Sequence, residues 1–194
     1  MKREINRIKN KGFTLPELLT GLAIFSLVIG AASGVFVSAI RGQRKSMAYQ
    51  ELLDQTSYLT EYISRALRMA KKDLSGDCIS QKTNYENPSG DSSRIRFLDY
   101  SVRCHEFLKD GDVLKERRST DESALSLGEP ISLTGTGLKV ESVMFYLLGQ
   151  SQTDNLQPKV TLFLKMKSLG EKPEQQPEIK LQTTISQRNL DIEQ

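Results

Sequence analysis

The sequence predicts an α+β protein in which a long N-terminal α-helix, half membrane segment and half amphipathic, is packed by a mostly antiparallel β-sheet. Three observations lead there. Residues 18–40 (LLTGLAIFSLVIGAASGVFVSAI) carry no charge and have about the length that spans a bilayer core as a helix. Beyond Arg41, apolar residues recur at mostly helical spacing among charged ones. From about residue 94 the pattern changes to short runs separated by turn residues, the order expected when strands follow a helix.

The chain has 194 residues, enough for one globular domain plus an appendage, and a formal charge of +3. That charge is unevenly placed. Lys2, Arg3, Arg7, Lys9 and Lys11 against Glu4 give residues 1–12 a net +4, leaving the remainder at −1. A nearly neutral remainder removes most of the electrostatic case for nucleic acid as a partner. The basic residues instead sit just before the apolar run. By the positive-inside rule they place residues 1–12 in the cytoplasm and everything after about Arg41 outside the inner membrane. The run is longer than a signal-peptide core and continues into helix-forming sequence, so it reads as a retained span.

Each element can be justified in turn. Residues 13–40 form the membrane half of the helix, and residues 41–74 its amphipathic half, with Met47, Leu52, Tyr58, Leu59, Tyr62, Ile63, Leu67 and Met69 or Ala70 on the apolar side. Together they predict one helix over about residues 15–72, some 80 Å at 1.5 Å per residue, ended by Gly76. Residues 75–194 form the exported β domain, opening on a polar, turn-rich loop up to Arg94. Strands are expected at 94–102, with the buried face undecided, and at 104–108 and 113–117, joined through Asp110-Gly111 as a hairpin turn. Residues 119–137 form a link, and further strands follow at 138–148, 159–167 and 178–187.

Cys78 and Cys104 fall on the oxidising side of the membrane, where a disulfide between them is expected. A metal site is the rival reading. Its ligand set is thin, because the one histidine is His105 and no C-x-x-C occurs. His105 itself is expected to be an ordinary surface or strand residue.

Glu17 is the least expected residue. It stands alone at the mouth of a hydrocarbon-compatible run, where an isolated ionised carboxylate costs several kcal/mol, on the order of the polar-burial penalty. The surrounding stretch, KGFTLPELLTGLAIF, resembles the N-terminus of type IV pilin-like proteins: a short basic leader ending in Gly12, then Phe13, then a carboxylate at the fifth position of the mature chain, then an unbroken apolar helix. The resemblance covers about residues 1–45, and makes residues 1–12 a prepilin leader. Pro16 departs from the commoner aliphatic residue, harmlessly in a first helical turn.

The resemblance implies a prepilin peptidase that cuts between Gly12 and Phe13, N-methylation of the new Phe13 amine, and other pilins or pseudopilins as partners. Glu17 would meet the N-terminal amine of a neighbouring subunit as helices bundle; the alternative leaves it at the headgroup level. Glycine's missing side chain suits a junction that must enter a protease cleft. The opening GFTLPELLTGLAIFSLV and the closing LQTTISQRNL are similar to W-type minor pilins and J-type minor pseudopilins of type II secretion. That implies a low-copy subunit near a filament tip. Gly30-Ala-Ala-Ser-Gly34 is a G-x-x-x-G stretch, suited either to close helix approach or to local unwinding.

No Gly-rich phosphate loop, zinc spacing or G-x-S-x-G occurs, so neither an enzyme nor a cofactor is expected. Asp110/Asp112 and Asp73/Asp77 are read as turn acids in preference to calcium ligands. Arg94, Arg96 and Arg103, with Lys115, Arg117 and Arg118, are read as solvated strand residues in preference to a DNA-binding stripe. The contrasting reading of the whole is a signal-anchored protein whose exported β domain binds a ligand outside any filament.

Overall fold

The computed structural model describes residues 12–150 and 156–188; most of the leader, residues 1–11, lies outside them. The chain divides into two compact units, Met1–Gln43 and Arg44–Gln194, and the helix α1 (Leu15–Arg68, 54 residues) runs from the first into the second. In the first unit every described residue but the half-buried Ile40 is exposed.

In the second unit α1 buries a stripe of Leu52, Thr56, Leu59, Ile63 and Leu67, three and four residues apart, as an amphipathic helix must. Thr56 is tolerated there because its hydroxyl donates to the Leu52 carbonyl at 2.6 Å. Two antiparallel sheets complete the core. One has the order β1 (Arg94–Leu98), β2 (Cys104–Asp110), β3 (Val113–Arg118) and β4 (Ile131–Ser132); the other has β5 (Leu138–Leu148), β6 (Lys159–Ser168) and β7 (Glu178–Ser186). Ile95, Phe97 and Phe107 from the first sheet and Val140, Phe145, Leu162 and Leu164 from the second join the helix stripe in one apolar cluster. Each such fully buried side chain stabilises by roughly 1.5–3 kcal/mol.

The α+β class and the long helix are as expected, with three differences. The strands form two sheets where one was expected. Residues 119–137 are not a bare link: β4 within them pairs back onto β3 before the chain turns into β5. Strand β5 bonds to the flanks of the first sheet through single bonds, Phe145 N–H to the Ser92 carbonyl (2.8 Å) and Val140 N–H to the Asp112 carbonyl (2.8 Å). Second, the helix stops at Arg68, short of Lys72 and Gly76. Lys71 is drawn into an extended bridge with Leu98. The freed carbonyls of Leu67, Arg68 and Ala70 accept from the Tyr85 hydroxyl (2.6 Å), the Arg188 N–H (2.9 Å) and the Gln187 side-chain amide (2.7 Å). Third, the hairpin loop is Gly111-Asp112, one residue later than expected, since Asp110 already pairs with Val113. Gly111 holds φ at 57°, the left-handed value that a two-residue turn needs at its first position.

The undecided face of β1 is also resolved. Ile95 and Phe97 face α1, while Leu98 turns to the opposite side and packs with Cys78, Ile79 and Cys104 under Ala124 and Leu127. In β5 the buried positions switch from Leu138 and Val140 to Val143 and Phe145. A bulge at Glu141 moves the alternation by one residue.

Candidate functional site

Gly12, Phe13 and Thr14 precede the helix, with Phe13 83% exposed. Thr14-Leu-Pro-Glu17 has capping-box spacing and forms half of one, the Glu17 side chain reaching back to Thr14. The Thr14 N–H and hydroxyl both lie 3.4 Å from Glu17 Oε2, and the Thr14 carbonyl accepts the first helical bond from Leu18 N–H at 3.1 Å. Glu17 thus sits in the first helical turn, where unpaired N–H groups and the helix dipole favour a negative charge. The T-x-x-E spacing signalled this arrangement, and the sequence reading missed it. At 3.4 Å these bonds are at the long end of the hydrogen-bonding range. They leave the carboxylate able to take a stronger partner.

Beyond Glu17 the helix hides its own polar groups. Thr20 donates to the Pro16 carbonyl (3.0 Å), Ser26 to Leu22 (2.8 Å) and Ser33 to Ile29 (2.8 Å), so these three hydroxyls need no water. A Cβ added at Gly21, Gly30, Gly34 or Gly42 would meet nothing within 4 Å. Nothing in this chain therefore requires glycine at those positions. Among the described residues α1 is the one helix long and apolar enough to cross a membrane, and its apolar window is wholly unburied.

Residues 7–33 match the family model described as the prokaryotic N-terminal methylation motif. The match supports a type IV pilin-like N-terminal segment. The match spans the leader end, Gly12, Phe13, Glu17 and most of the apolar helix, and it indicates a type IV pilin or pseudopilin processed by prepilin peptidase. An apolar N-terminal helix with this motif fits a membrane-anchored pilin. No curated protein and no solved structure matches the chain.

The other candidate residues lie in the second unit. Cys78 and Cys104 are joined by a disulfide with Cα atoms 5.3 Å apart. Across a separation of 26 residues such a bond stabilises by roughly 3.5 kcal/mol in the chain-entropy model. His105 is a strand residue but not a surface one. It is buried against Phe97 and Phe107, with Nε2 3.2 Å from Glu116 Oε2. Tyr62 also donates to Glu116 (2.6 Å) and receives a bond from Arg118. Burial and the Glu116 carboxylate push the Tyr62 hydroxyl up to about 12. Burial pushes Glu116 up as well, but the bonds from His105 and Tyr62 and the Arg118 charge more than offset it, holding the carboxyl below its usual value.

The basic strand residues are not freely solvated. Arg94 reaches Glu106 at 2.7 Å, Arg96 at 3.5 Å and Arg117 at 3.7 Å, and Glu106 is fully buried. Three cations around one inaccessible carboxylate form a structural ion network; removing such a centre costs about 3–5 kcal/mol. The alternation of the strands could not reveal this convergence, because Arg94 and Arg96 on β1 and Arg117 on β3 meet only once β2 lies between them. Asp110 pairs with Lys115 and Asp112 with Lys139. Asp73 is buried and accepts from the N–H groups of Ser75, Gly76, Cys78 and Ile79 at 2.7–3.0 Å, organising the loop after α1. No group of three or more His, Cys, Asp or Glu suited to a metal ion occurs among the described residues.

Proposed function

We propose that the chain is a minor pilin or pseudopilin, a non-enzymatic structural subunit of a type IV pilus-like filament that helps to initiate assembly near the tip. Before assembly the prepilin sits in the inner membrane with residues 1–12 in the cytoplasm and the β domain outside. Prepilin peptidase cuts between Gly12 and Phe13, and the new amine of Phe13 is methylated. The subunit then joins a filament through its apolar helix.

The observation that carries this reading is the methylation-motif match over residues 7–33, a range that includes Gly12, Phe13 and the lone acid Glu17. Cleavage makes Phe13 the first residue, so its cation lies one residue from the Thr14 groups that hold Glu17. A neighbouring subunit's amine is a stronger partner for that carboxylate than the 3.4 Å capping bonds are. Pairing two charges in a dry bundle is favourable relative to leaving either alone, and its use is to set helix register.

The test is the mass and first residue of the protein recovered from membranes with and without active prepilin peptidase. A chain starting at methylated Phe13 only when the peptidase is active is the expected result. A chain that keeps Met1 in both backgrounds and tolerates Glu17→Ala overturns the reading and leaves a signal-anchored, ligand-binding β domain.

A further inference from the structure

The two sheets have four edges between them, and among the described residues the chain closes three itself. Along the outer side of β1, Lys71 pairs with Leu98 and Glu86 with Arg96. The outer side of β5 carries the bulge at Glu141 and the bonds to Ser92 and Asp112. Strand β4 has two residues and follows Pro130, which has no N–H to offer a neighbour. The fourth edge differs. Strand β7 runs nine residues with no proline, glycine or register shift, and among the described strands only β6 pairs with it. An edge of that kind is a template for another strand.

The ladder shows which of its groups are open. Just beyond the two ends of β7, Ser168 N–H donates to the Pro177 carbonyl (3.0 Å) and Gln187 N–H to the Pro158 carbonyl (3.2 Å). In an antiparallel pair the hydrogen-bonded residues alternate with residues that turn their backbone groups to the other side. The odd-numbered residues of β7 therefore bond to β6, and Lys180, Gln182, Thr184 and Ser186 turn N–H and C=O to the open edge. The side chains divide the same way. Ile179, Leu181, Thr183 and Ile185 lie on the core side, yet of these only Ile185 is buried and the others are half-buried. On the outer face the Thr184 and Thr161 hydroxyls share a hydrogen bond (3.0 Å). Lys180, the one cation of the edge, lies 3.3 Å from Glu178, so the row carries no spare charge.

We propose that β7 accepts a strand from a different protein: an extended, uncharged segment with an apolar residue at every second position and Thr, Ser or Gln between. Its backbone completes the ladder at Lys180, Gln182, Thr184 and Ser186. Its apolar residues cover the half-buried Ile179 and Leu181, and its hydroxyl and amide side chains extend the Thr161–Thr184 row. A second copy is not the donor. Strand β7 paired with its own twin runs antiparallel about a two-fold axis, which also reverses the α1 packed on that sheet, whereas copies anchored in one membrane run the same way. The contact needs neither cleavage at Gly12 nor a filament.

The test follows amide hydrogen exchange residue by residue in the full chain in detergent micelles. The probe is a capped synthetic peptide of residues 178–186 carrying Glu178→Thr and Lys180→Gln, which has the stated alternation and no helix to be reversed. In the chain alone the amides of Ile179, Leu181, Thr183 and Ile185 should exchange slowly and those of Lys180, Gln182 and Thr184 fast. Millimolar peptide should slow the second set by about tenfold, what one further net hydrogen bond confers, and leave the first set unchanged. Gln182→Pro in the full chain removes an outward donor and leaves the bonds to β6 in place. It should abolish the slowing while Ile179 and Ile185 stay protected. Four results overturn the proposal: even-numbered amides protected before peptide is added, no slowing with peptide, slowing that survives Gln182→Pro, or protection that rises with protein concentration alone, the signature of a second copy.

Discussion

Along residues 15–43 of α1, Leu18, Leu22, Phe25, Val28 and Phe36 are each more than half exposed, whereas along residues 44–68 Leu52, Leu59, Ile63 and Leu67 are at most 2% exposed. Both stretches belong to one unbroken helix, so backbone geometry does not distinguish them. What differs is the arrangement of apolar residues. In the second stretch they recur every three or four positions and find their partners on the strands of the same chain. In the first they surround the helix, and the hydroxyls of Thr20, Ser26 and Ser33 bond back to the helix itself. Apolar surface of that kind needs a partner outside the chain: lipid, other helices, or each in turn.

The largest expected effect tests this directly. Leu59→Ala should destabilise the β domain by about 2–5 kcal/mol, the cost of a cavity in a well-packed core. Leu22→Ala should leave the same unfolding transition unchanged within about 0.5 kcal/mol. Denaturant unfolding in a fixed detergent, followed by tyrosine fluorescence, measures both. Similar losses would mean that the first half of α1 is also held by its own chain, and the contrast would fail.

The sequence exposed this contrast because it rests on local periodicity. The uncharged run, the helical stripe and the positions of β5, β6 and β7 are all properties of neighbouring residues. The break between the two sheets is not such a property. It falls after β4, a two-residue strand too short to leave a pattern, which takes the free edge of β3. The burial of His105 and Glu106 was hidden for a related reason. Neighbours on β2, they point to opposite faces, and each face is covered by residues distant in sequence. At the N-terminus the candidate residues could be read because their spacing carries the chemistry, from Gly12 and Phe13 to Glu17. The contact of the Glu17 carboxylate with Thr14 is equally local, carried by the T-x-x-E spacing.

A smaller effect separates the two regions by pH. Burial raises the Asp73 carboxyl, but hydrogen bonds from the backbone of Ile79, Gly76 and Cys78 and from Ser75 more than offset it, so its folded pKa lies below the ordinary value. A depressed folded pKa contributes stability that is present above the unfolded value, about 3.9, and is lost as pH falls through the folded one. Acid should therefore loosen the loop after α1 from about pH 4 downward. Asp73→Asn should cost about 1–3 kcal/mol at neutral pH through unsatisfied N–H groups. It should also flatten the loss of stability below about pH 4 relative to the native chain. Parallel acid profiles for the two proteins would remove Asp73 from this account.

The smallest effect on folding should come with the sharpest effect on assembly. Because a Cβ at Gly30 or Gly34 meets nothing within 4 Å, replacing both with leucine should leave domain unfolding unchanged. The helix itself should gain, since glycine is about 1 kcal/mol poorer than alanine or leucine in a helix interior. If the G-x-x-x-G face lets helices of neighbouring subunits approach closely, two leucines hold them apart and incorporation into filaments falls. Alanine at the same positions distinguishes the two uses of glycine. An added methyl group still permits a close approach, but it removes the backbone freedom that local unwinding would exploit. Assembly retained with alanine and lost with leucine identifies close approach. Loss with both identifies unwinding, and retention with both would show that this face meets only lipid.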